Sequence, residues 1–210
     1  MAIQRIAVLG AGQMGNGITQ VAAAAGYDVI MIDIQQEYVD KGLATIQRSL
    51  SKLVSKERMS QEDADATLAR ISLATDRSVC ADCDLVVEAV PEILDLKTSI
   101  FAELDGICKP ETILASNTSS ISISTIANAT NRPDRVIGMH FMNPVPIMKL
   151  VEVINGDKTS TETNAAVIEA SAKMGKTALS CNDSPGFVSN RILCPMLNEA
   201  ILTLQEGVRS

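Results

Sequence analysis

The sequence predicts an α/β fold built on a doubly wound sheet that helices cover on both faces. Three observations support it: short apolar runs alternate with helical patterns, the first run ends in a glycine-rich turn, and an acidic residue closes the second run. Such alternation is typical of strand–helix–strand units with right-handed crossovers. The chain has 210 residues, 46% of them hydrophobic, enough for one such domain and part of another.

Each predicted element follows from a local pattern. Strands are expected at short apolar runs, at residues 5–9, 27–32, 85–89, 112–115, 136–139 and 150–154. Helices are expected where apolar residues recur at helical spacing, at residues 13–25, 36–58, 60–70, 94–107, 122–129 and 160–174. Ser60 and Asp63 form an N-terminal capping pattern for the third of these helices.

The last segment has a different pattern. Ser184 is expected to cap a helix, and Pro185 to take its first helical position. Residues 186–204 are apolar on most helical faces, which is typical of a helix lying between two layers of protein. We therefore expect residues 1–183 to form one domain and residues 184–210 to begin a second, all-helical domain whose remainder is absent from this chain.

Composition and charge argue against several classes of protein. The formal net charge of −7 argues against general nucleic-acid binding. No apolar run has the pattern of a signal peptide or the length of a membrane span, so a cytoplasmic protein is expected.

The cysteines do not predict a cross-link or a metal site. Their odd number, five, argues against structural disulfides. Cys80 and Cys83 form a C-x-x-C pair, which a redox centre or half of a zinc site would use. Zinc needs two further ligands that the remaining single cysteines do not supply. Buried thiols are the favoured interpretation, and no metal is expected.

Residues 10–15 (GAGQMG) match the dinucleotide-binding pattern G-x-G-x-x-G between a predicted strand and a predicted helix. Gly10 permits the tight turn, Gly12 lets a pyrophosphate approach the backbone, and Gly15 lets the helix pack close to the strand. Gln13 and Met14 complete the motif and are expected to line the same cofactor site. The free N–H groups of the helix then face the phosphates.

Asp33 closes the second predicted strand, eighteen residues after the last glycine of the motif. A carboxylate at this position accepts hydrogen bonds from the adenosine ribose hydroxyls and repels a 2′-phosphate. The sequence therefore predicts a Rossmann-type site for NAD rather than NADP.

His140 is the only histidine of the chain, and it lies in a polar cluster at residues 138–144 (GMHFMNP). Glu152 is a lone acid in the apolar strand that follows. A histidine with a carboxylate to orient it suggests proton transfer coupled to hydride transfer. The alternative is a satisfied core histidine beside a buried acid. The polar side chains of Asn117, Ser119 and Asn143 favour a functional site.

A basic stripe stands out in this acidic chain. Lys41, Arg48, Lys52 and Lys56 share one face of a predicted helix. Such a stripe suggests binding of an anionic ligand arm, for example the phosphates of coenzyme A. A solvated lysine face explains the pattern equally well.

Four segments together resemble the 3-hydroxyacyl-CoA dehydrogenase family, most closely its short-chain bacterial branch, the 3-hydroxybutyryl-CoA dehydrogenases. They are residues 10–15 (GAGQMG), 115–120 (ASNTSS), 138–144 (GMHFMNP) and 184–191 (SPGFVSNR). The resemblance covers essentially the whole chain. It implies reversible, NAD-dependent oxidation of an (S)-3-hydroxyacyl-CoA to the 3-ketoacyl-CoA.

The resemblance also implies a role for each matching residue. His140 would be the acid/base and Glu152 its orienting partner. Substrate contacts are implied at Ser119 and Asn190. Cofactor contacts are implied at Glu92, Lys97, Asn117, Asn143 and Asp33. Coenzyme A contacts are implied at Ser49 and Lys56, and Lys52 lies on the same face.

Three questions stay open at this stage. Family members continue into an all-helical domain that closes over the acyl group and builds a homodimer, so dimerisation of this chain is uncertain. A dehydrogenase of free hydroxyacids on the same scaffold is one alternative function. A non-enzymatic NAD-binding protein is the other.

Overall fold

A computed structural model describes residues 3–208, which form an α/β fold around an eight-stranded sheet. The predicted doubly wound architecture is confirmed. The strands are β1 (Arg5–Leu9), β2 (Asp28–Ile32), β3 (Ile71–Ala74), β4 (Leu85–Glu88), β5 (Ile113–Ser116), β6 (Val136–Phe141), β7 (Leu150–Asn155) and β8 (Thr177–Asn182). The helices are α1 (Gln13–Ala24), α2 (Gln36–Ser55), α3 (Gln61–Ala69), α4 (Leu94–Ile107), α5 (Ile123–Ala127), α6 (Thr161–Lys173) and α7 (Ser189–Gln205).

The strand order creates a switch point near the middle of the sheet. Along the sheet the order is β3-β2-β1-β4-β5-β6-β7-β8. The chain moves outward from β1 to β3 and then returns across β1 to β4, so the crossovers diverge between β1 and β4. Doubly wound sheets bind ligands at the carboxyl edge of such a point.

Apolar layers cover both faces of the sheet. Successive strand residues point to opposite faces, so Val8 packs in the layer with α1 and α6, while Leu9 packs in the layer with α4 and α5. A third cluster joins α2 and α3 to β2. Strands buried on both sides read as continuous apolar runs, which is why β1, β2 and β4–β7 were predictable.

The strand β7 runs antiparallel to β6. No helix lies between these strands, since residues 142–149 form turns and loop, and the chain reverses direction instead of crossing over. The reversal places Glu152 directly opposite His140 in the strand register. The alternating pattern of the sequence did not predict this direction.

The two edge strands, β3 and β8, were not predicted. Their side chains are mostly half-buried or exposed, so neither segment has the apolar run of a central strand. They extend the sheet by parallel pairing with β2 and β7.

The predicted start of the last helix was wrong. Ser184 and Pro185 lie in a turn, closed by the Phe187 N–H donating to the Ser184 carbonyl at 2.8 Å. Gly186 and Phe187 both have positive φ, +79° and +50°, which no helix accommodates, so α7 begins only at Ser189. Phe187, in the same turn, is buried at 3% exposure.

The helix α7 has no buried residue among those the structure describes. Seven large apolar side chains are exposed on it: Ile192, Leu193, Met196, Leu197, Ile201, Leu202 and Leu204. Within residues 3–208, no helix has the length and apolar character that crossing a bilayer requires.

Candidate active site

A cleft of about 1270 Å³ opens at the switch point, between the turn after β1 and the segment after β4. Gly10 has φ +100° and donates its N–H to the Ile32 carbonyl at 2.7 Å. A Cβ at Gly10 would lie 2.5 Å from the Ala89 carbonyl oxygen, across the switch point. Only glycine satisfies both the backbone conformation and this close approach.

The other two glycines of the motif fit a dinucleotide for different reasons. A Cβ at Gly15 would lie 1.7 Å from the Gly10 oxygen, so glycine is needed for α1 to pack against the turn. Gly12, the N-cap of α1, has nothing within 4 Å of such a Cβ and makes no side-chain cap, which leaves the first-turn N–H groups open to the cleft. Gln13 and Met14 also line the cleft. Free N–H groups at a helix N-terminus can donate hydrogen bonds to the oxygens of a phosphate group.

Asp33 lies at the rim of the same cleft. Its Oδ2 accepts the Ala11 N–H and its Oδ1 accepts the Ile34 N–H, each at 2.7 Å. These two bonds fix the carboxylate beside the glycine turn, where an adenosine ribose is expected.

His140 and Glu152 form a hydrogen-bonded pair in the interior. The His140 Nδ1 lies 2.8 Å from the Glu152 Oε2, and the two side chains are 10% and 0% exposed. Residues directly opposite on antiparallel strands project to the same face, so the β6–β7 register itself creates the contact. Within residues 3–208 no group forms a hydrogen bond with the imidazole Nε2, and this nitrogen is not fully buried.

The second carboxylate oxygen of Glu152 binds the start of α7. Its Oε1 accepts the Val188 N–H at 3.1 Å and the Ser189 N–H at 2.7 Å. Burial opposes ionisation of Glu152, but the hydrogen bonds from Ser189, His140 and Val188 outweigh it and hold its pKa below the ordinary value. An ionised Glu152 makes His140 donate from Nδ1–H, which leaves Nε2 as a base. Sequence reasoning missed these backbone bonds.

Ser119 and Asn190 meet beside this pair. The Asn190 side-chain amide donates to the Ser119 carbonyl at 3.1 Å, so the first turn of α7 is bound to the loop after β5. The Oε1 of Glu92 accepts the Ser119 N–H at 3.0 Å and the Thr118 hydroxyl at 2.5 Å. Burial raises the pKa of Glu92, but bonds from Thr118, Lys97 and Ser119 prevail and lower it.

A cluster of charged side chains, Glu88, Lys97 and Glu92, supports the loop after β5. The Lys97 ammonium, with a side chain 1% exposed, lies 2.6 Å from Glu88 Oε1 and 3.3 Å from Glu92 Oε2. Glu88 is fully buried and also accepts the Ser116 hydroxyl at 2.6 Å and the Val90 N–H at 2.7 Å. Sequence reasoning missed Glu88, although an acid ending an apolar strand was a usable signal.

The cluster changes how Lys97 can act. Its ammonium donates to Glu88 Oε1 and, at 3.3 Å, to the Val90 carbonyl, and it is ion-paired with Glu92, so protein groups already surround it. Its predicted cofactor contact stays a prediction. In the structure Lys97 is ion-paired with Glu92, which binds the loop of Thr118 and Ser119.

Two asparagines brace the loops around the histidine. The Asn117 Oδ1 accepts the Phe141 N–H at 2.9 Å, which joins the end of β5 to the end of β6. The Gln13 amide donates to the Asn143 Oδ1 at 3.1 Å. The residues lining the large cleft include Gln13 and stop short of His140, so this bond links the cleft to the histidine loop.

The basic stripe divides into two parts. Lys41 lies in the wall of the cofactor cleft. Lys52 is exposed farther along the helix, Lys56 is exposed at its C-cap, and Ser49 is half-buried. The buried face of α2 contains Ile46 and Leu50.

The cysteine pair is buried in a short 3₁₀ segment, Arg77–Asp82, and the residue after it. Burial raises the pKa of Cys83 to about 11 and raises that of Cys80 as well, so both are poor nucleophiles. In the part of the chain that the structure describes, no group of three or more His, Cys, Asp and Glu side chains is placed to hold a metal.

Comparison with known proteins identifies the family to which this geometry corresponds. The model of the "3-hydroxyacyl-CoA dehydrogenase, NAD binding domain" family matches residues 5–184. A probable 3-hydroxybutyryl-CoA dehydrogenase of Deinococcus radiodurans is 56% identical over 204 residues, which cover 97% of this chain and 73% of the relative. The human mitochondrial hydroxyacyl-coenzyme A dehydrogenase is 44% identical over 211 residues, covering 98% of this chain and 67% of the relative.

The solved structures agree with the sequence relatives. The crystal structure of (S)-3-hydroxybutyryl-CoA dehydrogenase from Ralstonia eutropha superposes with a TM-score of 0.97 at 49% identity. The match covers 100% of this chain and 74% of that one.

Proposed function

The chain belongs to the 3-hydroxyacyl-CoA dehydrogenase family, and on that premise we propose that it oxidises a short-chain (S)-3-hydroxyacyl-CoA reversibly to the 3-ketoacyl-CoA. Its cofactor is NAD, and the glycine turn with Asp33 is the site that would hold it. The 3-hydroxybutyryl thioester is the substrate that the printed names of the bacterial relatives support.

The observation that carries this proposal is the buried His140–Glu152 pair beside a dinucleotide cleft. NAD, when bound, accepts the hydride that leaves C3 of the substrate. The Nε2 of His140 takes the proton of the C3 hydroxyl, because Nδ1–H is committed to Glu152. Glu152 keeps this tautomer and stabilises the imidazolium that forms.

The neighbouring polar groups orient the substrate. Ser119 and Asn190 would hold the C3 oxygen and the thioester carbonyl by hydrogen bonds. Their mutual bond fixes both at one edge of the site. Lys52, Lys56 and Ser49 would contact the coenzyme A phosphates from α2.

We further propose that α7 belongs to a second, helical unit and contributes to a homodimer. Its exposed apolar face, with no buried residue, supports a separate unit that includes α7. Large apolar patches of this kind mark association surfaces in soluble proteins.

The test is NADH oxidation by acetoacetyl-CoA, with His140→Gln as the variant. Turnover should fall by roughly 10²–10⁴-fold with little change in NADH binding. Near-normal turnover of His140→Gln would remove the histidine from the chemistry. Free acetoacetate, assayed in parallel, identifies a free-acid dehydrogenase if it is the better substrate. Tight NADH binding with no oxidation by either compound would indicate a non-enzymatic binding protein.

A further inference from the structure

The turn before α7 contains the unusual backbone of Phe187. A φ of +50° is the left-handed region, which glycine adopts easily and an aromatic residue rarely does. Gly186 before it also has positive φ, +79°. Residues held in such conformations are kept there by their surroundings, and they cluster at functional sites.

The surroundings of Phe187 are the candidate catalytic pair. Its ring lies edge-on to the imidazole of His140, with centroids 5.9 Å apart and planes at 60°. Only 3% of the residue is exposed, and it packs in the apolar layer of α4 and α5. The phenyl ring therefore shields one side of the imidazole from water.

The same turn reaches the other member of the pair. The next two N–H groups, of Val188 and Ser189, both bind the Glu152 Oε1. They are free to do so because Val188 is the N-cap and Ser189 the first residue of α7, and the first N–H groups of a helix have no intrahelical carbonyl partner. A regular helix from residue 185 would direct these amides differently and would carry Phe187 onto its surface.

We propose that Phe187 is a positioning residue for the His140–Glu152 pair. The inference rests on the proposed function. The left-handed turn places the ring of Phe187 against the imidazole of His140. It also directs the next two N–H groups along the chain to the carboxylate of Glu152. Rotation of His140 and of Glu152 is thereby restrained from the same short segment. The ring contacts the imidazole and acts on the reaction through His140.

The chain offers a matched control and an unambiguous probe. Phe101 on α4 is an equally buried phenylalanine of the same apolar layer, at 0% exposure. Phe101→Leu therefore makes the same change of volume in the core away from the pair. His140 is the only histidine, so ¹⁵N signals of imidazole nitrogens report its tautomer and its Nδ1–H bond without assignment of other residues.

We expect Phe187→Leu and Phe187→Ala to lower kcat by roughly 10–10²-fold, since small misplacements of a catalytic group have effects of this size. NADH affinity should be unchanged. The ¹⁵N spectrum should show a loss of the single Nδ1–H tautomer. Phe101→Leu should keep both kcat and the imidazole spectrum.

Gly186→Ala tests the turn separately. An added Cβ would lie 3.0 Å from the Arg191 nitrogen, at a φ that disfavours alanine. We expect faster amide exchange at Val188 and Ser189 together with a lower kcat. Unchanged exchange and unchanged kcat in this variant would contradict the role of the turn.

The remaining outcomes decide the inference as well. Phe187→Leu with wild-type kcat and a wild-type imidazole spectrum overturns it. A drop in kcat of equal size in Phe187→Leu and Phe101→Leu, with intact imidazole signals, also overturns it, because the effect is then general to the core. An altered imidazole spectrum with normal turnover upholds the positioning and instead refutes the proposed role of His140 in catalysis.

Discussion

His140 and Glu152 lie opposite each other on β6 and β7, with 2.8 Å between Nδ1 and Oε2. The sheet register brings these two side chains together on one face of the sheet. The free oxygen of Glu152 is used by the start of α7, and Asn190 of that helix binds the Ser119 carbonyl. Four predicted site residues are thus joined into one network.

Acid should destabilise the fold through Glu152. Its pKa is lowered on folding from the ordinary value of 4.5, so around and below that pH the unfolded chain binds more protons than the folded chain. The stability that Glu152 contributes is present above that value and is lost as pH falls through the folded pKa. Glu152→Gln should be less stable at pH 7 and should lose less stability between pH 5 and pH 3.

Urea unfolding at a series of pH values measures this effect. The exposed Glu111→Gln makes the same charge change and serves as control. An equally steep acid dependence in wild type and Glu152→Gln would show that other carboxylates determine the response. Glu92 and Asp183, whose pKa values are also lowered, are the first to examine.

Asp33 should determine the choice of cofactor. Asp33→Ala removes the carboxylate that binds the Ala11 and Ile34 amides and faces the ribose site. We expect NADH affinity to fall by roughly tenfold or more, the value of one charged hydrogen bond, and the preference over NADPH to narrow. Asp33→Asn keeps the size of the side chain and loses the charge together with one of the two accepting oxygens. Equal affinity of the wild-type chain for NADH and NADPH would contradict this role.

Lys97 should be important for stability. Lys97→Met leaves Glu88 fully buried without its cation, a change that typically costs about 3–5 kcal/mol. Adding Glu88→Gln removes the uncompensated charge, so the double variant should be more stable than Lys97→Met alone. Thermal and urea unfolding of the four proteins form the cycle. Additive losses would show that the two residues do not interact.

The sequence predicted the parts of the site that local patterns encode. The glycine turn lies between a buried strand and a helix, and a buried strand is recognisable as a continuous apolar run. The positions of Gly10, Gly15 and Asp33 were therefore predictable from the sequence. The pairing of His140 with Glu152 was inferred from chemistry and from the family resemblance. The antiparallel register that produces it was not visible in the sequence.

What escaped prediction depends on long-range packing. Ser184 and Pro185 carry a real local signal for a helix start, but the bonds of Val188 and Ser189 to Glu152 hold the chain in a turn instead. Glu88 was missed because its partner Lys97 lies on the next helix and had been given another role. The edge strand β8 was missed because it has no buried apolar run: three of its four exposed positions are polar, and Leu179 is exposed as well.

The coenzyme A proposal for α2 can be tested by charge reversal. Lys52→Glu and Lys56→Glu, alone and together, should raise the KM for acetoacetyl-CoA and leave NADH affinity unchanged. The effect should shrink with added salt, because exposed charges are screened beyond about 8 Å at physiological ionic strength. Lys158→Glu makes the same charge change on an exposed residue after β7. Equal KM values in all of these variants would identify the stripe as a solvated surface.

The exposed face of α7 should make this 210-residue chain self-associate. Ile201 is 65% exposed and is one of the seven large apolar side chains on this face. Full burial of one such side chain in an interface stabilises the associated state by about 1.5–3 kcal/mol. Ile201→Glu places a charge in that face and should shift the protein toward monomer in sedimentation velocity runs over a range of concentrations. Ile147→Glu is the control, since Ile147 is 74% exposed in the loop before β7, away from α7. A wild-type chain that sediments as a monomer at all concentrations would contradict the proposed association surface. A shift of equal size in both variants would show that general surface hydrophobicity, rather than α7, causes the association.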